Sequence, residues 1–138
     1  MKQPTGRLEY AAGRAVTSAL LCVAAGFGVF AYVENSAPGR LLLTVAAVGC
    51  AVEGLRCALV RPVVAADADG LWLVPGVRPI AVAWSEVERI GGRVERRRGA
   101  VIRSLEVDVG ETVHVVPAYR LGAPVSAVVS ALEVTRPD

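Results

Sequence analysis

The chain is nearly without lysine and histidine: Lys2 and His114 are single, and every other basic residue is arginine. Three cysteines, Cys22, Cys50 and Cys57, form no Cys-x-x-Cys pair and have one histidine to join them, which argues against a zinc site or a disulfide framework. They fall within apolar sequence, where small polarizable side chains packed between helices are the ordinary case. No Gly-rich phosphate loop is present, and Ser85 has no histidine near it in sequence. Asp67 and Asp69 sit in a turn and Glu86 and Glu88 on a strand edge, where carboxylates two apart are commonplace. An enzyme is therefore not expected, and neither a catalytic residue, a cofactor nor a metal is assigned.

Charge is scarce where apolarity is high. The chain is 54% hydrophobic, with a mean hydropathy of +0.49, too apolar for an ordinary soluble domain of 138 residues unless part of it lies in lipid. Charged residues are sparse before Arg61 and common after it, which puts a boundary near Pro62. The first 60 residues carry five cations and three anions and so supply the whole net charge of +2, while the remainder is balanced at ten each. A nucleic-acid binder would be more basic, and nucleic acid is not an expected partner.

Residues 15–33 are 19 in a row without a charge, close to the ~20 that cross a hydrocarbon core. Arg14 and Glu34 bound them, and Tyr10 and Tyr32 lie near the ends, where amphipathic rings favour headgroups. A second segment follows Pro38-Gly39-Arg40 and covers 41–61. Glu53 and Arg56 interrupt it, each costing about 2.5 to 3.5 kcal/mol at a bilayer centre. Three residues apart, they share a helix face, so an ion pair within the membrane or a contact with a partner helix is expected, with a proton or ion relay as the alternative. Small residues at four-residue spacing, Ala24 with Gly28 and Ala46 with Cys50 and Gly54, suit close helix approach.

Lys2, Arg7 and Arg14 precede the first span, Arg56 and Arg61 close the second, and Arg40 alone occupies the link. The positive-inside bias then predicts a multi-pass plasma-membrane protein. Its parts are a cytoplasmic tail 1–14, an external loop 34–40 and a cytoplasmic domain 62–138. A secretory signal peptide is the rival for the first segment, although its apolar stretch is longer than usual and a second follows directly.

Beyond Val63, turn signals separate short β-type runs. Alternation places Ile80, Val82 and Trp84 on one buried face, with Ala81 and Ala83 opposite. Residues 87–94 and 100–109 flank a basic turn, Glu95-Arg96-Arg97-Arg98-Gly99. A three-residue turn, Asp108-Val109-Gly110, is expected next; it places Val113 and Val115 with Leu105 and Val107, and His114 on the opposite, outer face. Val125, Val128, Val129 and Leu132 then form one helical stripe, with Pro124 in its first turn. About six strands and one amphipathic helix result, and the helix must close the apolar side of a small core.

Two spans, then Ala68-Asp69-Gly70-Leu71-Trp72-Leu73-Val74, Arg78, Ile80-x-Val82-x-Trp84-Ser85-Glu86-Val87, a long hairpin and a C-terminal helix resemble the actinobacterial PH-domain membrane proteins of the low molecular weight protein antigen type. The resemblance covers essentially the whole chain. It implies a membrane helical hairpin followed by a PH-like domain, a partly open barrel of two packed sheets capped by the helix. It implies no enzyme, and no lipid-binding motif carries over residue by residue; fold alone does not fix function.

The expected function is a membrane-anchored binding module that contacts a protein or anionic lipid headgroups. The alternative is an accessory subunit of a larger membrane complex, joined through its helices or as a homo-oligomer. The candidate binding residues are Arg93, Arg96, Arg97, Arg98 and Arg103, where each cation near an anionic surface contributes about 1 kcal/mol. Arg103 shares parity with Leu105, which puts it at the rim of the sheet with a packed stem.

Overall fold

The computed structural model describes residues 7–137, so part of the expected 1–14 tail, including Lys2, and the final Asp138 lie outside the described residues. It comprises two compact units: a helical pair over residues 12–60, and a β domain that joins residues 7–11 to 61–137.

In the first unit α1 spans Arg14–Val33 and α2 spans Ala37–Leu59. Both are long and apolar enough to cross a membrane. At 20 and 23 residues they reach about 30 Å and 34 Å by helical rise. The link between them is shorter than expected, because Pro38 and Gly39 already belong to α2. Proline suits a first helical turn, whose N–H groups have no intrahelical acceptor to lose. Glu34 organises what remains of the link: its carboxylate accepts the Ser36 N–H at 3.0 Å and the Ser36 hydroxyl at 2.8 Å, and Arg40 donates to the Glu34 carbonyl at 2.9 Å.

Small residues face inward in this unit. Ala24, Ala31 and Gly54 are buried, and a Cβ on Gly54 would sit 3.0 Å from Leu21 Cδ2. Gly28 departs from the expected stripe, being exposed with nothing near its missing Cβ. Ala24 and Ala31 are seven residues apart, the repeat that keeps one face toward a neighbour over successive turns; a four-residue step drifts off it. The large side chains point away from the seam: Phe30 is 66% exposed and Leu42 71%.

The β domain begins earlier in the chain than expected. Leu8–Tyr10 (β1), placed in a tail by the sequence pattern, pairs antiparallel with Val64–Ala66 (β2), Tyr10 opposite Val64. Three residues are too short a run for alternation to declare a strand; the neighbouring strand supplies the pairing. Gly70–Leu73 (β3) and Ile80–Ala83 (β4) complete a sheet of order β1-β2-β3-β4. The helical pair is therefore an insertion between two adjacent strands of one sheet. Val87–Arg97 (β5), Ala100–Val109 (β6) and Thr112–Pro117 (β7) form a second antiparallel sheet, and Val125–Thr135 (α3) packs on it. The six strands and helix expected after the helical pair are present.

One core joins both sheets and α3: Val64, Leu71, Leu73 and Val82 from the first, Val87, Ile90, Leu105, Val107 and Val116 from the second, and Val125, Val128 and Leu132 from the helix. The expected faces of β4 hold, with Val82 and Trp84 buried and Ala81 and Ala83 exposed. Trp84 pins the turn before β3 by donating its indole N–H to the Asp67 carbonyl at 2.7 Å. The Asp67 carboxylate accepts the N–H groups of Asp69 and Gly70, an Asx turn. Gly70 is required here, since a Cβ would lie 2.5 Å from the Val82 carbonyl oxygen. Glu86, weighed as a strand-edge carboxylate, accepts the Ala83 N–H at 3.3 Å and so holds the short 3₁₀ turn Trp84–Glu86.

The β6–β7 turn corrects the expected register. Val109 pairs with Thr112, leaving a two-residue turn with Gly110 at φ +56°. Leu105 then meets Val116, and Val107 meets His114. Thus His114 is on the core-facing side and half-buried, while Val113 and Val115 are exposed on the outer face. Glycine in the first position of a two-residue turn allows this tight connection, and burying Val116 beside Leu105 fixes the parity.

Candidate functional site

The β5–β6 hairpin carries all five arginines singled out in the sequence. Its ladder runs without interruption from Arg89 opposite Asp108 to Arg97 opposite Ala100. The basic turn is consequently much tighter than the five residues expected: Glu95, Arg96 and Arg97 are strand, and Arg98 and Gly99 alone turn the chain, at φ +48° and +83°. Positive φ at both positions matches the twist of the flanking strands. The third strand reaches only to Pro117 opposite Ser104, so residues 94–103 project past it.

Strand alternation divides these arginines between two faces. On one face lie Gly92, Val94 and Arg96, opposite Leu105, Arg103 and Val101. This is the side that α3 covers, since a Cβ on Gly92 would be 3.0 Å from Val125 Cγ1. Arg93 and Arg97 occupy the other face, and both are neutralised there. Arg93 Nη1 lies 3.1 Å from Glu106 Oε1, and Arg97 is paired with Glu95. The hydrogen bond that Arg93 donates to Glu106, with the Glu106 charge and the nearby Glu95 charge, holds the Arg93 guanidinium even more firmly protonated than usual. Among the described residues, the ion pairs leave out Arg96, Arg98 and Arg103. The five cations are thus two paired on the outer face, two unpaired on the helix side and one at the tip.

Arg103 stands at the rim beyond Leu105, as its parity implied, and borders a groove of about 500 Å³ between the hairpin and the start of α3. Val94, Val125 and Val129 supply apolar lining, Ser126 and Ser130 add hydroxyls, and Arg93, already paired with Glu106, borders it as well. The groove escaped the sequence pattern because Ser126 and Ser130 read only as the polar side of an amphipathic helix.

Glu53 and Arg56 are brought together as expected, at 3.2 Å on one face of α2, with each side chain about 30% exposed or less. A second buried cation went unnoticed in the sequence. Arg120, in the 3₁₀ turn Ala118–Arg120, is 2% exposed and donates through Nη1 to the Val74 carbonyl at 3.2 Å, while its Nε and Nη2 find no acceptor. Nothing in an arginine following Tyr119 between a strand and a helix announces burial. No group of three or more His, Cys, Asp or Glu side chains among the described residues is placed to hold a metal ion.

Compared with family models, with curated proteins and with solved structures, the chain matches none.

Proposed function

We propose that the protein is a non-catalytic interaction module anchored in the plasma membrane by its helical pair, with a PH-like β domain at the cytoplasmic face that contacts anionic lipid headgroups. The observation that carries this reading is the insertion of two apolar helices between adjacent strands β1 and β2 of one sheet. Because Tyr10 pairs with Val64, the chain enters and leaves the helical pair from the same side, as a two-span hairpin must. Arg14, Arg56 and Arg61 near that side, against Arg40 at the link, favour the cytoplasm by the positive-inside bias. Sheets of four and three antiparallel strands with a C-terminal helix on the second agree with a PH-like domain. The projecting arginines supply the attraction to an anionic surface.

Topology is tested by protease treatment of intact and inverted vesicles: the β domain should be protected in the first and cleaved in the second. Cleavage in intact vesicles would move the domain outside and remove the cytoplasmic leaflet as its ligand. A second reading, an accessory subunit of a membrane complex, is favoured by the Glu53–Arg56 pair, half-buried on a helix that exposes the large apolar side chains of Leu41, Leu42, Leu55 and Leu59. Loss of a co-purifying membrane partner in Glu53→Leu would support it, and recovery of the wild type as a monomer in mild detergent would count against it.

A further inference from the structure

Building on the lipid-contact reading above, we infer that the anionic lipid is bound on one face of the hairpin only, in the groove between β5–β6 and the first turns of α3, with Arg103 in the groove lining as its first cation and Arg96, on the same strand face nearer the tip, as its second. Total charge does not single out this face, because the outer face carries three arginines of the hairpin, Arg89, Arg93 and Arg97, against Arg96 and Arg103 here, together with the carboxylates of Glu95, Glu106 and Asp108. Neutralisation does. Arg93 and Arg97 on the outer face already hold the carboxylates of Glu106 and Glu95, and a phosphate would have to displace them. Arg96 and Arg103 face the α3 side without an ion pair among the described residues. A guanidinium with a free fork of N–H donors binds a phosphate bidentately, whereas one committed to glutamate offers less.

Shape agrees with charge. The groove, about 500 Å³, lies in the size range of small-molecule sites. Its lining is chemically divided in the way a phospholipid is: Arg103, Ser126 and Ser130 for the phosphate and headgroup, Val94, Val125 and Val129 for the first methylenes of a chain. Val94 is 61% exposed there, and Val101 on the same face next to the groove is 53% exposed, apolar area that an ionic ligand alone would leave in water. A free phosphate or a purely acidic peptide satisfies the arginines and leaves those valines uncovered; a phospholipid covers both.

The test uses the full chain in a neutral detergent, titrated with dihexanoyl phosphatidylglycerol, with the matching phosphatidylcholine and with glycerol phosphate. Binding is read by microscale thermophoresis, and melting curves verify each variant. Phosphatidylglycerol should bind at least tenfold more tightly than either comparison ligand. The double variant Arg96→Gln/Arg103→Gln should weaken it at least tenfold, and Arg89→Gln/Arg97→Gln, with the same loss of charge on the outer face and away from the groove, less than threefold. Val129→Ser, which removes apolar lining without adding charge, should also weaken binding while leaving glycerol phosphate unaffected. Equal losses in the two double variants would overturn the one-face assignment and leave lipid contact standing. Equal affinity for glycerol phosphate and phosphatidylglycerol would overturn the lipid as occupant. No preference of the wild type for phosphatidylglycerol over phosphatidylcholine would remove the lipid-contact reading itself, and this inference with it.

Discussion

The helical pair and the β domain solve opposite problems with the same apolar alphabet. In the β domain the largest buried side chains are aliphatic, with Leu73 and Leu105 fully buried, and the arginines other than Arg120 are outside. In the helical pair the order is reversed: Ala24, Ala31 and Gly54 make the seam, while Phe30, Leu41, Leu42 and Leu55 face away from it. Burying large apolar groups is worth about 25 cal/mol per Å² only when the alternative is water. An inverted arrangement is favourable where the surroundings are themselves hydrocarbon, and there close approach of small residues supplies the packing. On the proposed anchoring, one chain records two solvents.

The sharpest way to break this contrast is a matched pair of leucine truncations. Leu105→Ala should destabilise the β domain by about 2 to 5 kcal/mol, since it removes buried methyl groups and leaves a cavity. Leu42→Ala on the outer side of α2 should change stability by less than about 0.5 kcal/mol in detergent, as surface changes do. Denaturant unfolding followed by tryptophan fluorescence reads the first, and helical circular dichroism the second. If the Leu42 change proved as costly as the Leu105 change, the outer face of α2 would be a protein core.

Gly54→Val addresses the seam. A Cβ there already meets Leu21 at 3.0 Å, so the added branches force the helices apart, at about 1 to 3 kcal/mol. Its counterpart Gly28→Val meets nothing and should be silent by the same helical signal.

Arg120 sharpens the contrast from the other side, as a charge within the β domain's interior. It makes one hydrogen bond and leaves two nitrogens unmet. Replacing a poorly compensated buried charge with an apolar side chain of similar length is neutral or favourable, so Arg120→Met should raise stability by up to ~2 kcal/mol. Arg120→Ala, which also opens a cavity, should not. A large loss with methionine would show that the guanidinium has compensation beyond the Val74 carbonyl.

The smallest effect concerns the helical link. Hydrogen bonds from the Ser36 N–H and hydroxyl, aided by Arg40, hold the Glu34 carboxyl below the ordinary glutamate pKa of 4.5. A lowered folded-state value means the contribution is present above 4.5 and is lost as pH falls through the folded-state value. Melting of the helical pair should weaken slightly across that acid range in the wild type and stay flat there in Glu34→Gln. A midpoint that does not respond differently in the two would remove this role.

The division into two units was legible because it rests on long patterns: an uncharged 15–33, alternation through 80–84, and the 125–132 stripe each involve several residues that agree. What failed to show depended on partners distant in sequence. β1 is recognisable only beside β2, the parity of β7 was decided by Gly110 together with Val116, and the burial of Arg120 by Val74. The candidate arginines were visible as a cluster, but their division into neutralised and free members needs the strand register that sets Glu106 beside Arg93.

The most direct measurement is membrane fractionation of the full chain at alkaline pH, which strips peripheral proteins and leaves those dissolved in the bilayer. Spanning helices predict that the protein stays with the membrane pellet and leaves it only with detergent. Release into the aqueous supernatant as a soluble monomer would contradict the account, because the exposed leucines and valines of α1 and α2 would then have to be covered by protein.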